Sequence, residues 1–295
     1  MREPMRLRDG SSGPVLGPSV LVGLVGSGIQ ASRTPSLHEA EGAALGLRYI
    51  YKLIDLELLG LNADALPDIL AAARRFGFAG LNITHPCKQA VISFLDELSP
   101  DAEAVGAVNT VVLKDGRGVG YNTDGWGFAE SFRRELPDVP RSHVVQLGAG
   151  GAGSAVSHAL LTLGAERLSI VDTDFEKARA LAADLCKRFG TGRAHAERTP
   201  HAAMASTDGL VNTTPVGMDK YPGTAIAAEL LRSEIWVADI VYFPLETELL
   251  RQARARGCRT MSGGGMAVFQ AAGAFRLFTG REPDVDRMMR HFSEM

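Results

Sequence analysis

Residues 143–160 read HVVQLGAGGAGSAVSHAL. An apolar run of strand character, Val144, Val145 and Leu147, passes directly into Gly148-Ala149-Gly150-Gly151-Ala152-Gly153 and then into a helical pattern. The glycines fall as GxGxxG, and each answers a separate physical demand. The first permits a tight turn, the second lets backbone approach a pyrophosphate, and the third lets helix and strand pack closely. A phosphate placed there meets the unpaired N–H groups that open the helix. Glycine-rich turns also make plain strand-to-helix connections, but here the next strand ends in an acid, Asp172 of SIVDTD (169–174), about 20 residues on, as the full fingerprint demands. A carboxylate at that position accepts hydrogen bonds from ribose hydroxyls and repels a 2′-phosphate. NAD rather than NADP is therefore the expected cofactor. Asp174 and Glu176 add negative charge, while Lys177 and Arg179 lie a turn into the next helix.

On either side of this motif, short apolar runs alternate with helical stretches, the signature of an α/β fold with largely parallel sheets. In the first half, strands are expected at Val20 to Val25, Tyr49 to Asp55 and Ala79 to Ile83, with helices at Pro35 to Leu45 and Ala65 to Phe76. A helix from Gln89 to Leu95, a turn opened by Ser99 and Pro100, and a hairpin from Thr110 to Tyr121 around Asp115 and Gly116 follow. The second half restarts with strand His143 to Leu147, helix Ala152 to Leu163, strand Leu168 to Asp172 and helix Phe175 to Phe189. Strands at Gly209 to Asn212 and Ile235 to Ile240, then a helix from Thr247 to Arg256, complete it. The expected architecture is two-domain α/β. After a flexible leader at 1–19, an open α/β substrate domain at 20–124 is completed by C-terminal helices at 265–295, and a Rossmann-like dinucleotide domain occupies 125–264, with a cleft between the two. The segment Gly125 to Leu136 is expected to link them, and the apolar helix Met266 to Phe278 to return to the first.

Composition narrows the partner. A chain of 295 residues suffices for two cores. With 45% hydrophobic and 22% charged residues it has the make-up of a soluble globular protein. A formal net charge of −3 offers no basic field for nucleic acid or an anionic membrane, which leaves a small molecule as the default partner. Cys87, Cys186 and Cys258 form no CxxC pair, so neither a zinc cluster nor a disulfide framework is expected, and a reducing cytoplasm fits best. No apolar run approaches the roughly 20 residues of a spanning helix, and residues 1–19 carry no hydrophobic signal core.

A second stretch, NITHPCK at 82–88, carries chemistry. The apolar residues before it (Phe76, Phe78, Ala79, Leu81) read as a short buried strand, and Pro86 stops pairing just before Lys88. An amine at the mouth of a buried strand is a candidate acid/base, although a lysine opening a helix with its head in water is the commoner case. The motifs GAVNT (106–110) and YNTDG (121–125) shift that balance.

GLNITHPCK, GAVNT, YNTDG, GAGGAG, NTTPVGM (212–218), DIVYFPLETELL (239–250) and GGGMAVFQAA (263–272) resemble, in that order, the shikimate dehydrogenase family. SRTP at 32–35, HEAEG at 38–42 and FRLFTG at 275–280 make its NAD-type quinate/shikimate branch the nearest in appearance. The resemblance implies a catalytic pair at Lys88 and Asp124. It implies a substrate carboxylate held by Ser32 and Thr34 with help from Tyr242, and ring hydroxyls bound by Thr84, Asn109 and Gln270. For the cofactor it adds Thr213, Thr214, Pro215, Met218 and Gly265 to Gly148, Gly150, Gly151, Ala152, Gly153 and Asp172. No metal is implied. A homodimer is a candidate assembly.

Oxidising a ring alcohol needs a hydride acceptor on one face and a proton acceptor at the oxygen, which NAD and a Lys/Asp pair supply. A lysine begins near pKa 10.4, so service as a base near neutrality asks for a drop of roughly two to three units. The implied activity is interconversion of the C3 hydroxyl of quinate or shikimate with the 3-dehydro ketone. An amino-analogue dehydrogenase is the alternative, and a non-enzymatic NAD-sensing module a more distant one. The chain departs from the biosynthetic branch at Thr34, where serine is usual, and at Cys87, where an aromatic is common. His38 and His85 titrate in a useful range, but nothing orients them, and Arg33 is expected to point away from its two hydroxyl neighbours. Tyr242, Gln270, Asn109 and the residues Thr213, Thr214 and Met218 each also have a purely structural reading.

Overall fold

The computed structural model describes residues 19–295, which form two six-stranded sheets. The leader expected at 1–19 lies outside the described residues except at Ser19, where the first strand begins. The first sheet is built from β1 (Ser19–Gly26), α1 (Thr34–Ala44), β2 (Arg48–Asp55), α2 (Leu66–Arg75), β3 (Gly80–Ile83), α3 (Cys87–Ala90), β4 (Glu97–Leu98), α4 (Pro100–Val105), β5 (Thr110–Lys114) and β6 (Arg117–Tyr121). The helix α5 (Asp124–Glu135) leads to β7 (His143–Leu147), α6 (Gly151–Thr162), β8 (Arg167–Val171), α7 (Phe175–Phe189), β9 (Ala194–Glu197), α8 (His201–Met204), β10 (Gly209–Asn212), β11 (Trp236–Asp239), α9 (Glu248–Ala255) and β12 (Arg259–Met261). Two helices close the chain, α10 (Gly263–Thr279) and α11 (Val285–Glu294).

The second sheet is parallel throughout, in the order β12-β11-β10-β7-β8-β9. Its central strands β7, β10 and β11 are buried at every position, as continuous apolar runs covered by helices on both faces require. One face packs on α5, α6 and α7 through Phe128, Phe132, Leu160 and Leu185; the other packs on α9 through Leu249, Leu250 and Ala253.

The first sheet, ordered β2-β1-β3-β5-β6-β4, is mixed: β1 pairs parallel with β2 and β3, and β4 with β6, while β5 runs antiparallel to β3 and β6. The expected hairpin joins β5 to β6, and Asp115 (φ 52°) and Gly116 (φ 76°) both take the left-handed conformation that its two-residue turn needs. Strand β2 lies at the edge, and its alternation of exposed and buried residues shows it. On one face α2 covers Leu81, Ile83 and Val111; on the other, Phe275 and Phe278 of α10 pack among Val22, Leu24, Tyr49 and Tyr51.

Local corrections have plain causes. Ser99 and Pro100 open a helix rather than a turn: Ser99 Oγ accepts the Ala102 N–H at 3.2 Å, Pro100 stands in the first turn, and Gly106 (φ 66°) ends it. The helix after NITHP begins at Cys87, so Lys88 lies inside it, and the chain continues as a 3-10 turn over Val91–Phe94. The segment expected as a link is the helix α5, whose Gly127 lets α10 approach to a distance at which a Cβ would stand 2.8 Å from Gln270 N.

Trp236 shows how tightly the second sheet is filled. It is 1% exposed, donates its indole N–H to Pro140 O at 2.8 Å, and meets Phe132 edge-on at 5.0 Å between ring centres. A Cβ on its neighbour Gly209 would fall 1.9 Å from the indole. Trp236→Ala should therefore cost about 3–5 kcal/mol of stability, read from urea denaturation; a loss near zero would mean that the core collapses into the gap.

Candidate active site

The strand order reverses between β7 and β10, and the crevice beyond their C-terminal ends is where an open α/β sheet binds ligands. Gly148 turns the chain there with φ +98°, close under Thr213, whose Oγ donates to the carbonyls of Leu147 (2.7 Å) and Gly148 (3.0 Å). A Cβ on Gly153 would stand 2.4 Å from Gly148 O, so that glycine seals the turn, whereas a Cβ on Gly150 would point into open space. Gly150 caps α6 without a side-chain hydrogen bond, leaving the first N–H groups of the helix, around Gly151 and Ala152, available to an anion. Asp172 stands at the end of β8 with Oδ2 accepting the Ala149 N–H at 2.7 Å and Oδ1 the Asp174 N–H at 2.9 Å. These residues fit a dinucleotide: an open helix start for the pyrophosphate and an acid beside it for a ribose.

Across the crevice, the loop 212–218 is anchored from below. Asn212 Oδ1 accepts from Thr214 N (3.1 Å) and Thr214 Oγ (2.7 Å), and its Nδ2 donates to Val216 O (3.0 Å) and to Asp239 Oδ1 (2.9 Å). Asp239 is wholly buried and also accepts from Thr247 Oγ at 2.7 Å and Val241 N at 3.1 Å. Pro215 and Met218 are exposed on this loop.

Lys88 and Asp124 come from different elements of the first half and meet. Lys88 Nζ lies 2.6 Å from Asp124 Oδ2, with the lysine side chain 21% and the aspartate 7% exposed. Asp124 is the first residue of α5, where the helix dipole favours a carboxylate, and Asn122 Oδ1 accepts its backbone N–H at 3.0 Å. Asn109 Nδ2 donates to its other oxygen at 2.8 Å and to Thr123 Oγ at 2.9 Å. A chain of hydrogen bonds extends from there: Thr110 Oγ donates to Asn109 Oδ1 (3.0 Å), Asn82 Nδ2 to Thr110 Oγ (3.0 Å), and the Tyr51 hydroxyl to Asn82 Oδ1 (2.7 Å). The neighbouring Val108 N–H donates to Lys88 O at 2.8 Å. The pair faces the glycine turn, for a Cβ on Gly151 would lie 3.8 Å from Cβ and Cδ of Lys88.

The other expected residues fall as follows. Ser32 and Thr34 lie at the start of α1, with Ser32 Oγ accepting the Thr34 N–H at 3.3 Å and its own O–H free to donate. Thr84 is half-buried against Gly26, at which a Cβ would come 2.3 Å from its methyl. Burial, with the charge of Asp124 and against that of Arg33, pushes the Tyr242 phenol above its usual pKa. Arg33 lies over the rings of Phe243 (5.0 Å) and Phe292 (5.8 Å). Gln270 donates back to Ala267 O in its own helix, and Gly265 faces α5, where a Cβ would meet Ser131 Oγ at 2.2 Å.

His38 is fully buried among Tyr49, Tyr51, Phe275 and Phe278, and desolvation lowers its pKa to about 3, which removes it from proton transfer near neutrality. Cys87 is also fully buried, packed with Leu81, Ile83 and Val91 in the core of the first sheet. Among the described residues no group of three or more His, Cys, Asp or Glu is gathered as for a metal, and no helix is long and apolar enough to cross a membrane. Sequence reading passed over Asn122, Asn82 and Asp239. Asn122 carried a signal, an asparagine two residues before a helix start, where its side chain bonds local backbone; the other two lie within strands and carried none.

Known proteins resemble this arrangement over nearly the whole chain. Residues 24–111 match the shikimate dehydrogenase substrate binding domain and residues 263–291 the shikimate 5′-dehydrogenase C-terminal domain. A shikimate dehydrogenase (NADP(+)) of Streptomyces avermitilis is 59% identical over 279 residues, which cover 94% of this chain and 96% of the relative. A quinate/shikimate dehydrogenase (NAD(+)) of Corynebacterium efficiens is 50% identical, covering 93% and 98%. Quinate dehydrogenase from Corynebacterium glutamicum, solved in complex with NAD, superposes with a TM-score of 0.88 at 46% identity, covering 95% of this chain and all of that one.

Asp239 beneath the 212–218 loop supplies a test of this geometry. Burial lifts its pKa to about 6 against the hydrogen bonds from Thr247, Val241 and Asn212. The unfolded chain releases this proton near pH 4 and the folded one near pH 6, so stability is full below pH 4 and declines as pH rises through that window, by about 3 kcal/mol for two units. Asp239→Asn cannot ionise. From pH 4.5 to 7.5 the wild type should lose about 2–3 kcal/mol relative to this variant in urea denaturation; parallel stability curves would show that Asp239 does not titrate there.

Proposed function

The chain belongs to the shikimate dehydrogenase family, and from that premise we propose that it is a dehydrogenase using NAD to interconvert the C3 hydroxyl of quinate or shikimate with the 3-dehydro ketone. The observation that carries this reading is the Lys88–Asp124 pair standing beside the glycine turn of the dinucleotide crevice. A ring alcohol between them has its oxygen at the amine and its C–H toward the crevice.

Bound NAD supplies the acceptor for the hydride leaving C3. The chain handles the rest. As the C–O bond becomes a carbonyl, the hydroxyl proton passes to the Lys88–Asp124 pair, which takes up one proton as a unit; reduction of the ketone returns it. Asn109 and the N-terminus of α5 hold Asp124, and Asp124 holds the amine. We assign the substrate carboxylate to Ser32 Oγ–H and the Thr34 hydroxyl, with help from Tyr242. Thr84 and Gln270 address ring hydroxyls, and because such a site is built for hydrogen bonds it rejects substrates without them.

The choice of NAD rests on charge. Asp172 directly follows β8 and is itself followed by Asp174 and Glu176. The nearby cations are engaged: Arg179 forks onto Glu176, Lys177 sits 3.9 Å from Asp174, and Arg198 stacks on Phe175 at 4.2 Å. A 2′-phosphate would meet the Asp172 carboxylate directly, while these cations are held on other partners. Three relatives named for NADP are 54–59% identical and three named for NAD 47–50%, so overall likeness leans towards NADP and the NAD assignment rests on the residues around Asp172.

Two measurements test the reading. Lys88→Ala should lower kcat by about 10²–10⁴-fold while the Kd for NAD stays within a few-fold; near-normal turnover would take Lys88 out of the chemistry. Steady-state assays with NAD and NADP against quinate, shikimate and aminoquinate should give the highest kcat/KM with NAD and quinate or shikimate. A preference for NADP would overturn the cofactor assignment, a preference for aminoquinate would favour the amino-analogue reading, and bound NAD with no reduction would point to a sensor.

A further inference from the structure

The loop from Ser27 to Ala31 runs from β1 to Ser32 and Thr34 at the start of α1. A connecting loop is ordinarily the softest part of a site; this one is tied from beneath by one carboxylate. Asp55 ends β2 directly beside Gly26 in the parallel register and is 4% exposed. Its Oδ1 accepts the N–H of Gly28 at 2.9 Å and of Glu57 at 3.2 Å; its Oδ2 accepts the N–H of Ile29 and the Nε2 of Gln30, each at 3.0 Å. All the acceptor sites a carboxylate offers are thus filled, and among the described residues no cation pairs with it. Burial pushes the Asp55 carboxyl up, but these hydrogen bonds outweigh it and hold its pKa below the usual value.

The link from Asp55 to the substrate hydroxyls is short. Ile29 gives its N–H to Asp55 and its C=O to the N–H of Ser32 at 3.0 Å, and Ser32 Oγ in turn accepts the N–H of Thr34. The loop has little slack elsewhere. The Ile29 side chain is buried in the core of the first sheet, and Ser27 N–H donates to His85 O at 3.0 Å. Gly28 stands at φ +64°, a conformation that L side chains rarely adopt.

We infer that Asp55 is a positioning residue for substrate recognition, fixing the loop so that the Ser32 and Thr34 hydroxyls meet a carboxylate already oriented. It touches neither substrate nor cofactor. The inference rests on the reading that Ser32 and Thr34 hold the substrate carboxylate.

Asp55→Asn keeps the shape and turns one acceptor oxygen into a donor against two loop donors. With loss of hydrogen bonds to a charged group, KM for quinate or shikimate should rise about ten-fold, with kcat at saturation and the Kd for NAD within two-fold of wild type. Ser32→Ala serves as the reference, and the double variant should be no worse than the more affected single one, because both act through the same contact. An unchanged KM in Asp55→Asn beside a raised KM in Ser32→Ala overturns the inference and leaves the carboxylate reading standing. An unchanged KM in both Ser32→Ala and Thr34→Ala sinks that reading and the inference with it. Parallel losses in kcat and NAD affinity would show general weakening instead of positioning and would also overturn it. Should Asp55→Asn fail to fold, Gln30→Ala decides: removing one exposed donor should raise KM about two- to three-fold with kcat unchanged, and an unaltered KM overturns the inference.

Discussion

Lys88 and Asp124 are 36 residues apart in the chain and 2.6 Å apart in space, and much of the first lobe is arranged so that they stay there. A charged pair withdrawn from water loses more solvation than its attraction returns unless the remaining lone pairs are satisfied and the geometry is held. Both conditions are met. Asn109 fills the second oxygen of Asp124, Asn122 caps the backbone beneath it, the start of α5 stabilises the negative charge, and Val108 bonds the carbonyl of Lys88 itself. The polar chain through Thr110 and Asn82 to Tyr51 leaves no member of that line without a partner.

The pair also lies where the two sheets approach each other. Val105, Ala107 and Ala155 form a small apolar contact between α4 and α6, and Ser154 Oγ donates to Val105 O across it at 2.7 Å. Small side chains at this contact let Gly151 come close to Lys88, which brings the start of α6 beside the amine. The Lys88–Asp124 pair from one sheet and the glycine turn of the other thereby share one crevice. The helices α5 and α10 set this spacing: Gly127, Gly265 and Gly273 all lie where a Cβ would strike the opposing helix or its side chains.

Much of this was legible in the residues. The glycine turn with Asp172 beyond it is local chemistry, since each glycine answers a steric demand that its immediate neighbours impose. The buried strands of the second sheet read as unbroken apolar runs, and NITHPCK announced a lysine at a strand end. The hairpin of the first sheet was legible as well, because Asp115 and Gly116 between two apolar runs are the residues a tight turn uses. Strands with little apolar content, β4, β9 and β12, left no such trace, because pairing alone makes them strands. Asn82 and Asp239 went unnoticed for a related reason: a polar residue inside a strand discloses nothing about the partner that permits its burial.

Sequence was enough for the class of fold, the glycine turn, the acid beside it and the family itself, because these depend on short-range patterns and on ordered motifs. Tertiary structure alone decided how the expected pair Lys88 and Asp124 is held, that Asn109 spends both its amide hydrogens holding Asp124 and Thr123, that His38 is sealed among aromatic rings, and that Asp55 ties down the loop bearing Ser32 and Thr34. Each of these is a contact between residues at least 11 positions apart. Hydrogen bonds and ion pairs act over about 3 Å, and which distant groups come within that reach is set only when the sheets pair and the helices pack.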